Sequence, residues 1–272
     1  MLRTFHANGF DTADAILRGL ACLGYELERG STVLDFGCGG GGLVYRLREL
    51  GFEAYGFDIH DTVAYGSPED KAWFRFIENP QSDTSNTVVD WSKFNVTFDS
   101  KHFDLVVSTT VLEHIFDPRS VMAELARVLR PEGCALHFYP RKSTIIEPHI
   151  FVPLASRIQS WWWFYLWASV GVRNEFQRQF SAREVADRNT RYCQTGLRYH
   201  TDDEMYSYCS PYFGSIQFVD DLYYATVNPK HERQAIWQAL KSEHPINNLA
   251  AIPKLRVLLA CSPKTDRAGM RV

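Results

Sequence analysis

The run Gly37-Cys-Gly-Gly-Gly-Gly42 follows directly on the β-branched segment Ser31-Thr-Val-Leu-Asp-Phe36. That join constrains the fold more than any other part of the chain. Glycine adopts backbone conformations closed to other residues and lets a second group approach the main chain closely. Leu43, Val44, Leu47 and Leu50 then recur at helical spacing, and Gly51 stops the helix. Glu53 to Phe57 reads as a second strand, ending at Asp58. Strand, glycine turn, helix and strand make one βαβ unit, which implies a parallel pair and a right-handed crossover.

The alternation continues. A helix is expected over about 10–27, with Asp11 or Thr12 as cap, and a third strand over 73–77. Phe103-Asp-Leu-Val-Val-Ser108 is a short apolar run typical of a strand buried on both faces. A helix from Pro118 to Leu129 follows, broken by Arg130-Pro-Glu-Gly133, and Cys134 to Tyr139 is the next strand. After Pro140 the pattern changes. Residues 141–213 contain no clear strand, and Ser181-Ala-Arg-Glu184 and Thr201-Asp-Asp-Glu204 each match a helix-capping box. Ser215–Ala225 and Lys254–Cys261 read as two further strands, with a helix over 230–240 between them. The expected organisation is a Rossmann-like α/β core over 1–140 and a helical, aromatic-rich cap over 141–213. Strands within 214–262 complete the sheet, and a tail covers 263–272.

The glycine run satisfies G-x-G-x-x-G, a pattern that alone suggests a dinucleotide site. Asp35, two positions before the first glycine, argues against a pyrophosphate there, because that turn works by aiming N–H groups at negative charge. No Lys or Arg lies between Asp35 and Tyr45 to offset it. Asp58 follows Gly41 by 58 − 41 = 17 residues, at a strand end where a carboxylate accepts from both ribose hydroxyls. The ligand described is a nucleoside without phosphates that carries positive charge. A plain strand–helix turn with two solvated carboxylates and a nucleotide-dependent oxidoreductase are the competing readings.

Thr32-Val-Leu-Asp-Phe-Gly-Cys-Gly-Gly-Gly41 resembles motif I of the class I S-adenosylmethionine-dependent methyltransferases. Phe103 to His114 resembles that family's fourth-strand segment, and Glu124 to Gly133 the helix and turn entering its fifth strand. The resemblance implies a doubly wound, mostly parallel seven-stranded sheet with an antiparallel last strand, and S-adenosyl-L-methionine as cofactor. It also implies that Gly37, Cys38, Gly39 and Gly41 bring backbone to the methionine part, and that Asp35 holds the loop and the amino group. Asp58, with Ile59 beside it, would bind the ribose, and Ser108 and Thr109 would lie beside the methionine moiety. The adenine contact stays unassigned: neither Glu78 nor Asp90 is an obvious partner. No residue is assigned to a metal, since the six cysteines include no C-x-x-C pair.

A hydroxyl acceptor needs a base near neutral pH, most often histidine, whereas a carbon or amine acceptor can react without one. His114 follows the fourth strand and His149 the fifth, where ligands bind in open parallel sheets. His149 sits between Pro148 and Pro153, which restrict its loop, and Glu147 beside it is a candidate either to orient the imidazole or to bind acceptor hydroxyls. His114 reads first as a helix-start residue supporting the cofactor wall and only second as a base, and His137 reads as a core histidine. The Glu147–Pro153 loop and the aromatic run after it resemble a branch of the family often encoded among sugar and cell-surface polysaccharide enzymes, which implies a glycosyl or glycolipid acceptor. O-methylation of a small-molecule, sugar or lipid-linked saccharide acceptor is the leading expectation. C- or N-methylation and a non-catalytic cofactor-binding subunit are the alternatives.

Aromatic residues make up 14% of the chain, and six of them fall within Trp161–Trp167. They form a buried core, an acceptor wall or a peripheral membrane contact, the last helped by Arg157 and Arg173 on either side. A formal charge of 29 − 32 = −3, with no basic cluster and no Asn-Pro-Pro-aromatic motif, argues against nucleic acid as a partner. The cysteine usage and the lack of an apolar leader run in the first residues point to a cytoplasmic protein.

Overall fold

The computed structural model describes residues 9–63, 67–77, 94–227 and 255–264. Strand β1 (Thr32–Phe36) is buried along its whole length and pairs in parallel with β2 (Glu53–Asp58) on one side and β4 (Phe103–Thr109) on the other. Helix α1 (Gly9–Cys22) precedes it, and helix α2 (Gly42–Glu49) makes the crossover to β2. The short β3 (Phe74–Phe76) extends the sheet beyond β2. Helix α3 (Pro118–Val128) leads into β5 (Leu129–Tyr139), which pairs with β4. The sheet is completed by β6 (Phe213–Phe218) and by β7 (Arg256–Pro263), which runs antiparallel to both β5 and β6. Seven strands in the order β3-β2-β1-β4-β5-β7-β6 form the Rossmann-like sheet expected from the sequence.

Strand alternation sorts the apolar residues into two layers. Val33, Leu105, Val107 and Leu136 face the layer that holds Ile16 and Leu20 of α1 and Leu47 of α2. Leu34, Val106, Ala135 and Leu258 face the other, with Val121 and Leu125 of α3. Inside the sheet edge, Asp104 accepts from the Thr32 N–H at 2.7 Å and from Arg130 Nη1 at 2.5 Å, which ties the starts of β1, β4 and β5 together.

Between β5 and β6 lie helices α4 (Trp161–Ser169), α5 (Ala182–Thr195) and α6 (Asp202–Cys209). The capping boxes at Ser181 and Thr201 are formed, each hydroxyl accepting from the N–H of the glutamate three residues on. Ile150, Val152, Phe164, Ala186 and Cys193 make a third, separate core for this region. Helix α6 is different: Met205 and Cys209 join the second layer of the main core. The aromatic helix α4 divides its residues. Phe164 and Ala168 are buried, whereas Trp162 is 74% exposed and Leu166 53%.

Some boundaries differ from expectation. The first helix ends at Cys22, not near 27, because the Tyr25 N–H turns back to the Leu20 carbonyl at 2.9 Å. The expected strand 215–225 stops at Phe218, and helix α7 (Asp220–Val227) follows. Two aspartates in its first turn favour a helix start, and Tyr223 is buried with its ring 5.0 Å from that of Phe138. The residues 130–133 leave the ladder as an irregularity between the Phe103–Leu129 and Leu105–Cys134 pairs. Pro263 closes β7, and Lys264 is tied to the Tyr212 carbonyl, so the expected tail does not begin at 263. The expected helix over 230–240, Glu78, Asp90 and residues 265–272 lie outside the described residues.

Candidate active site

The loop after β1 is held open by its glycines. Gly37 has φ 81°, and a Cβ there would lie 2.2 Å from Val111 Cγ2, so only glycine fits between this turn and the segment after β4. At Gly39, φ 49°, an added Cβ would meet nothing within 4 Å, which leaves bare backbone facing open space. The Gly37 and Cys38 N–H groups both donate to the Phe57 carbonyl, at 2.7 and 3.1 Å. Asp58 closes the arrangement: one carboxylate oxygen accepts from the Gly39 N–H at 2.7 Å, the other from the Ile59 N–H at 2.7 Å. Gly41 begins α2. The Cys38 side chain is buried against the position of Gly56, so this residue offers backbone, not thiol, to the open side.

Asp35 is only 5% exposed, and its pKa is raised from 3.8 to about 7, first by burial and then by the Asp58 charge. Two carboxyl groups at this loop suit a positively charged ligand, so the residues present fit S-adenosylmethionine. The folded chain keeps the Asp35 proton up to about pH 7, while the unfolded chain releases it near 3.8. The ligand-free protein therefore loses stability as pH rises through that window. A cationic ligand that favours the charged form reverses the trend. Affinity for S-adenosylmethionine should rise between pH 5 and 7 by up to ~10-fold per unit and then level off, which calorimetry at three pH values would read. A flat profile would show that Asp35 does not face the ligand's charge.

The structure corrects one expectation at the end of β4. Ser108 is fully buried, and its hydroxyl shares a 2.7 Å hydrogen bond with His137 Nδ1. Its side chain points into the core, not toward a ligand. Burial lowers the His137 pKa to about 3, so the ring is neutral, in keeping with a core histidine. Thr109 is the next residue along, and its buried hydroxyl has no hydrogen-bond partner among the described residues.

Beyond β4 the chain forms a short 3₁₀ turn, Leu112–His114, and here the insertion meets the core. The Arg198 N–H donates to the Glu113 carbonyl at 2.6 Å, and His114 Nδ1–H donates to the Gly196 carbonyl at 2.8 Å. His149 comes from the loop after β5. Its Nδ1–H donates to Glu147 Oε1 at 2.6 Å, and the other oxygen of Glu147 accepts from the His149 and Ile150 N–H groups at 2.7 and 2.8 Å. The adjacency of Glu147 and His149 in sequence thus becomes a direct contact. The two imidazoles stand edge to face with centroids 5.3 Å apart, and Tyr192 of α5 packs against both.

Charge in this cluster is unevenly balanced. Glu113 and Glu147 are both fully buried. Burial pushes the Glu113 carboxyl up to about 8, with the His149 charge opposing and the Glu147 charge adding. Burial works against the His149 imidazolium, but the charge and hydrogen bond of Glu147, followed by Glu113, outweigh it and raise its pKa. The His114 pKa is lowered by burial and then by His149. Glu113 is the residue that sequence reasoning missed. It is visible there only as the middle of Leu-Glu-His, and an acidic residue four positions beyond a buried strand was the available signal.

A family model described as a methyltransferase domain matches residues 9–192. The chain belongs to this family, the class I S-adenosylmethionine-dependent methyltransferases. Among curated relatives, the ubiquinone biosynthesis O-methyltransferase of Hahella chejuensis is 33% identical over 113 residues, covering 40% of this chain and 42% of that protein. The dimethylglycine N-methyltransferase of Parasynechococcus marenigrum is 27% identical over 146 residues, 54% of this chain and 50% of that protein. The chain spans about half or less of the length of these relatives. Among solved structures, an S-adenosylmethionine dependent methyltransferase from Mesorhizobium loti aligns with a TM-score of 0.49 at 12% identity, covering 92% of this chain and 99% of the other.

Proposed function

We propose that this chain transfers a methyl group from S-adenosylmethionine to a hydroxyl of a sugar or lipid-linked saccharide. Asp35, Asp58 and the backbone of the 37–41 loop would hold the cofactor, which supplies a methyl carbon activated by the sulfonium. The Glu147–His149 pair would receive the acceptor, with His114 beside it. The observation that carries this reading is the way Glu147 holds His149. With Nδ1–H donating to a buried carboxylate, Nε2 is the ring atom left to take a proton. As the acceptor oxygen bonds to the methyl carbon, the carbon–sulfur bond breaks and its electron pair stays on sulfur, while the hydroxyl proton leaves on the histidine side. Alignment of the two reactants contributes most of the acceleration, by ~7–11 kcal/mol in well-oriented cases. Incubation with S-adenosylmethionine and a panel of sugars, glycolipids and amines, read by acceptor-dependent S-adenosylhomocysteine release, tests the reading. Release with amines alone would overturn the assignment to oxygen.

Helix α4 supports a lipid-linked acceptor. Trp162, Leu166 and Val170 recur every four residues and are exposed, with Phe176 close in sequence and Arg157 and Arg173 on either side. No helix among the described residues is long and apolar enough to cross a membrane, so any contact would be at its surface. Replacing Trp162 and Leu166 together by Ser should reduce co-sedimentation with anionic vesicles by at least ~10-fold, since each inserted side chain contributes ~1.5–3 kcal/mol. Equal sedimentation of the two proteins would remove the membrane from this reading.

A further inference from the structure

We propose that Glu113, His114 and His149 form a site for one divalent transition-metal ion of the zinc type, placed where the acceptor hydroxyl would bind. The three residues offer one ligand atom each, and these atoms lie within 4.8 Å of one another. A cation held at ~2.0–2.2 Å from each donor needs them about 3–4 Å apart, which small side-chain adjustments supply. The hydrogen bonds made by the Nδ1 atoms of the two rings point the same way. His114 donates Nδ1–H to the Gly196 carbonyl and His149 donates Nδ1–H to the Glu147 carboxylate, so both are fixed in the tautomer that leaves Nε2 with a lone pair. His149 Nε2 stands 3.5 Å from Glu113 Oε1. Glu113 is fully buried, and neither carboxylate oxygen has a hydrogen-bond partner among the described residues. A buried carboxylate without hydrogen bonds is costly unless a cation or a proton compensates it, and a metal ion would use all three donors at once.

Two imidazoles and one carboxylate suit zinc or iron(II) better than magnesium or calcium, which prefer oxygen alone. The His149 side chain remains 20% exposed, which leaves an open side for a further ligand. This inference rests on the methyl-transfer reading and deepens it. A hydroxyl bound to the cation would lose its proton to water near neutral pH, and His149 would then act as a ligand and not as the base.

The test uses the full chain without a histidine tag, stripped with a chelator and shown by calorimetry to bind S-adenosylhomocysteine. Titration with Co²⁺ is read by visible d–d absorption, and with Zn²⁺ by calorimetry. One ion per chain is expected, with Zn²⁺ displacing Co²⁺. Glu113→Gln and His149→Ala should each weaken Co²⁺ binding by ~100-fold or more, and Glu147→Gln by ~10–100-fold, with S-adenosylhomocysteine affinity retained. A variant that loses that affinity is replaced by His114→Asn, for which the same loss is expected. Absence of the cobalt band in a chain that binds S-adenosylhomocysteine, or undiminished cobalt affinity in Glu113→Gln, would overturn the site. Methyl transfer undiminished in excess chelator would also overturn it while leaving the methyl-transfer reading intact. An intact metal site with no transfer to any hydroxyl acceptor would overturn the metal's assigned role together with that reading.

Discussion

His149→Ala should lower methyl-transfer turnover by ~10²–10⁴ while leaving S-adenosylhomocysteine affinity nearly unchanged. The separation of these two effects follows from the geometry. The His149 ring is held by Glu147 on one side and faces Glu113 and His114 on the other, all beyond the ends of β4 and β5. The 37–41 loop is instead held to β2 through Asp58 and the Phe57 carbonyl. Steady-state kinetics would show the loss in kcat if the ring or a bound ion activates the hydroxyl, and mostly in the acceptor's KM if His149 only positions it. Full turnover in the variant would contradict the placement of the acceptor at this cluster.

The second large effect is at Asp58. Its carboxylate accepts from the Gly39 and Ile59 N–H groups and is the group proposed to bind the ribose, so on that proposal Asp58→Ala removes a ligand contact and a brace of the loop together. Loss of a charged, two-point contact corresponds to ~2–3 kcal/mol, or ~30–150-fold in affinity for S-adenosylhomocysteine. Asp58→Asn should lose less, because the amide oxygen still accepts one of the two N–H groups. Calorimetric titration that finds both variants unchanged would remove Asp58 from the site.

These two sites were not equally legible in the sequence. The loop was readable because its determinants are local. A β-branched strand, glycines at 37, 39 and 41 and a carboxylate at the end of the next strand state the βαβ unit within thirty residues of chain. The antiparallel last strand was also placed, although its boundaries shifted from 254–261 to Arg256–Pro263. The histidine cluster was legible only in parts. His114, Glu147 and His149 could be named from their positions after strands, but their meeting with Glu113 depends on the insertion folding back over β4 through Gly196 and Arg198. That closure joins residues far apart in the chain, and no local periodicity announces it. Ser108 fails for a related reason. Position at a strand end says that a residue is near the site, but strand alternation leaves open which face its side chain takes, and His137 on the neighbouring strand decides it. The stretch after β6 shows local composition misleading in the other direction. Leu222, Tyr223 and Tyr224 look like strand, yet the acidic pair Asp220-Asp221 starts a helix and Tyr223 anchors it against β5.

The most direct test of the account is calorimetric titration of the purified chain with S-adenosylhomocysteine and, in parallel, with NAD. The two carboxylates at 35 and 58 and the absence of Lys or Arg between Asp35 and Tyr45 predict binding of the first at one site per chain and no measurable binding of the second. Binding of NAD without S-adenosylhomocysteine would contradict the cofactor site, and with it the reading of this chain as a methyltransferase.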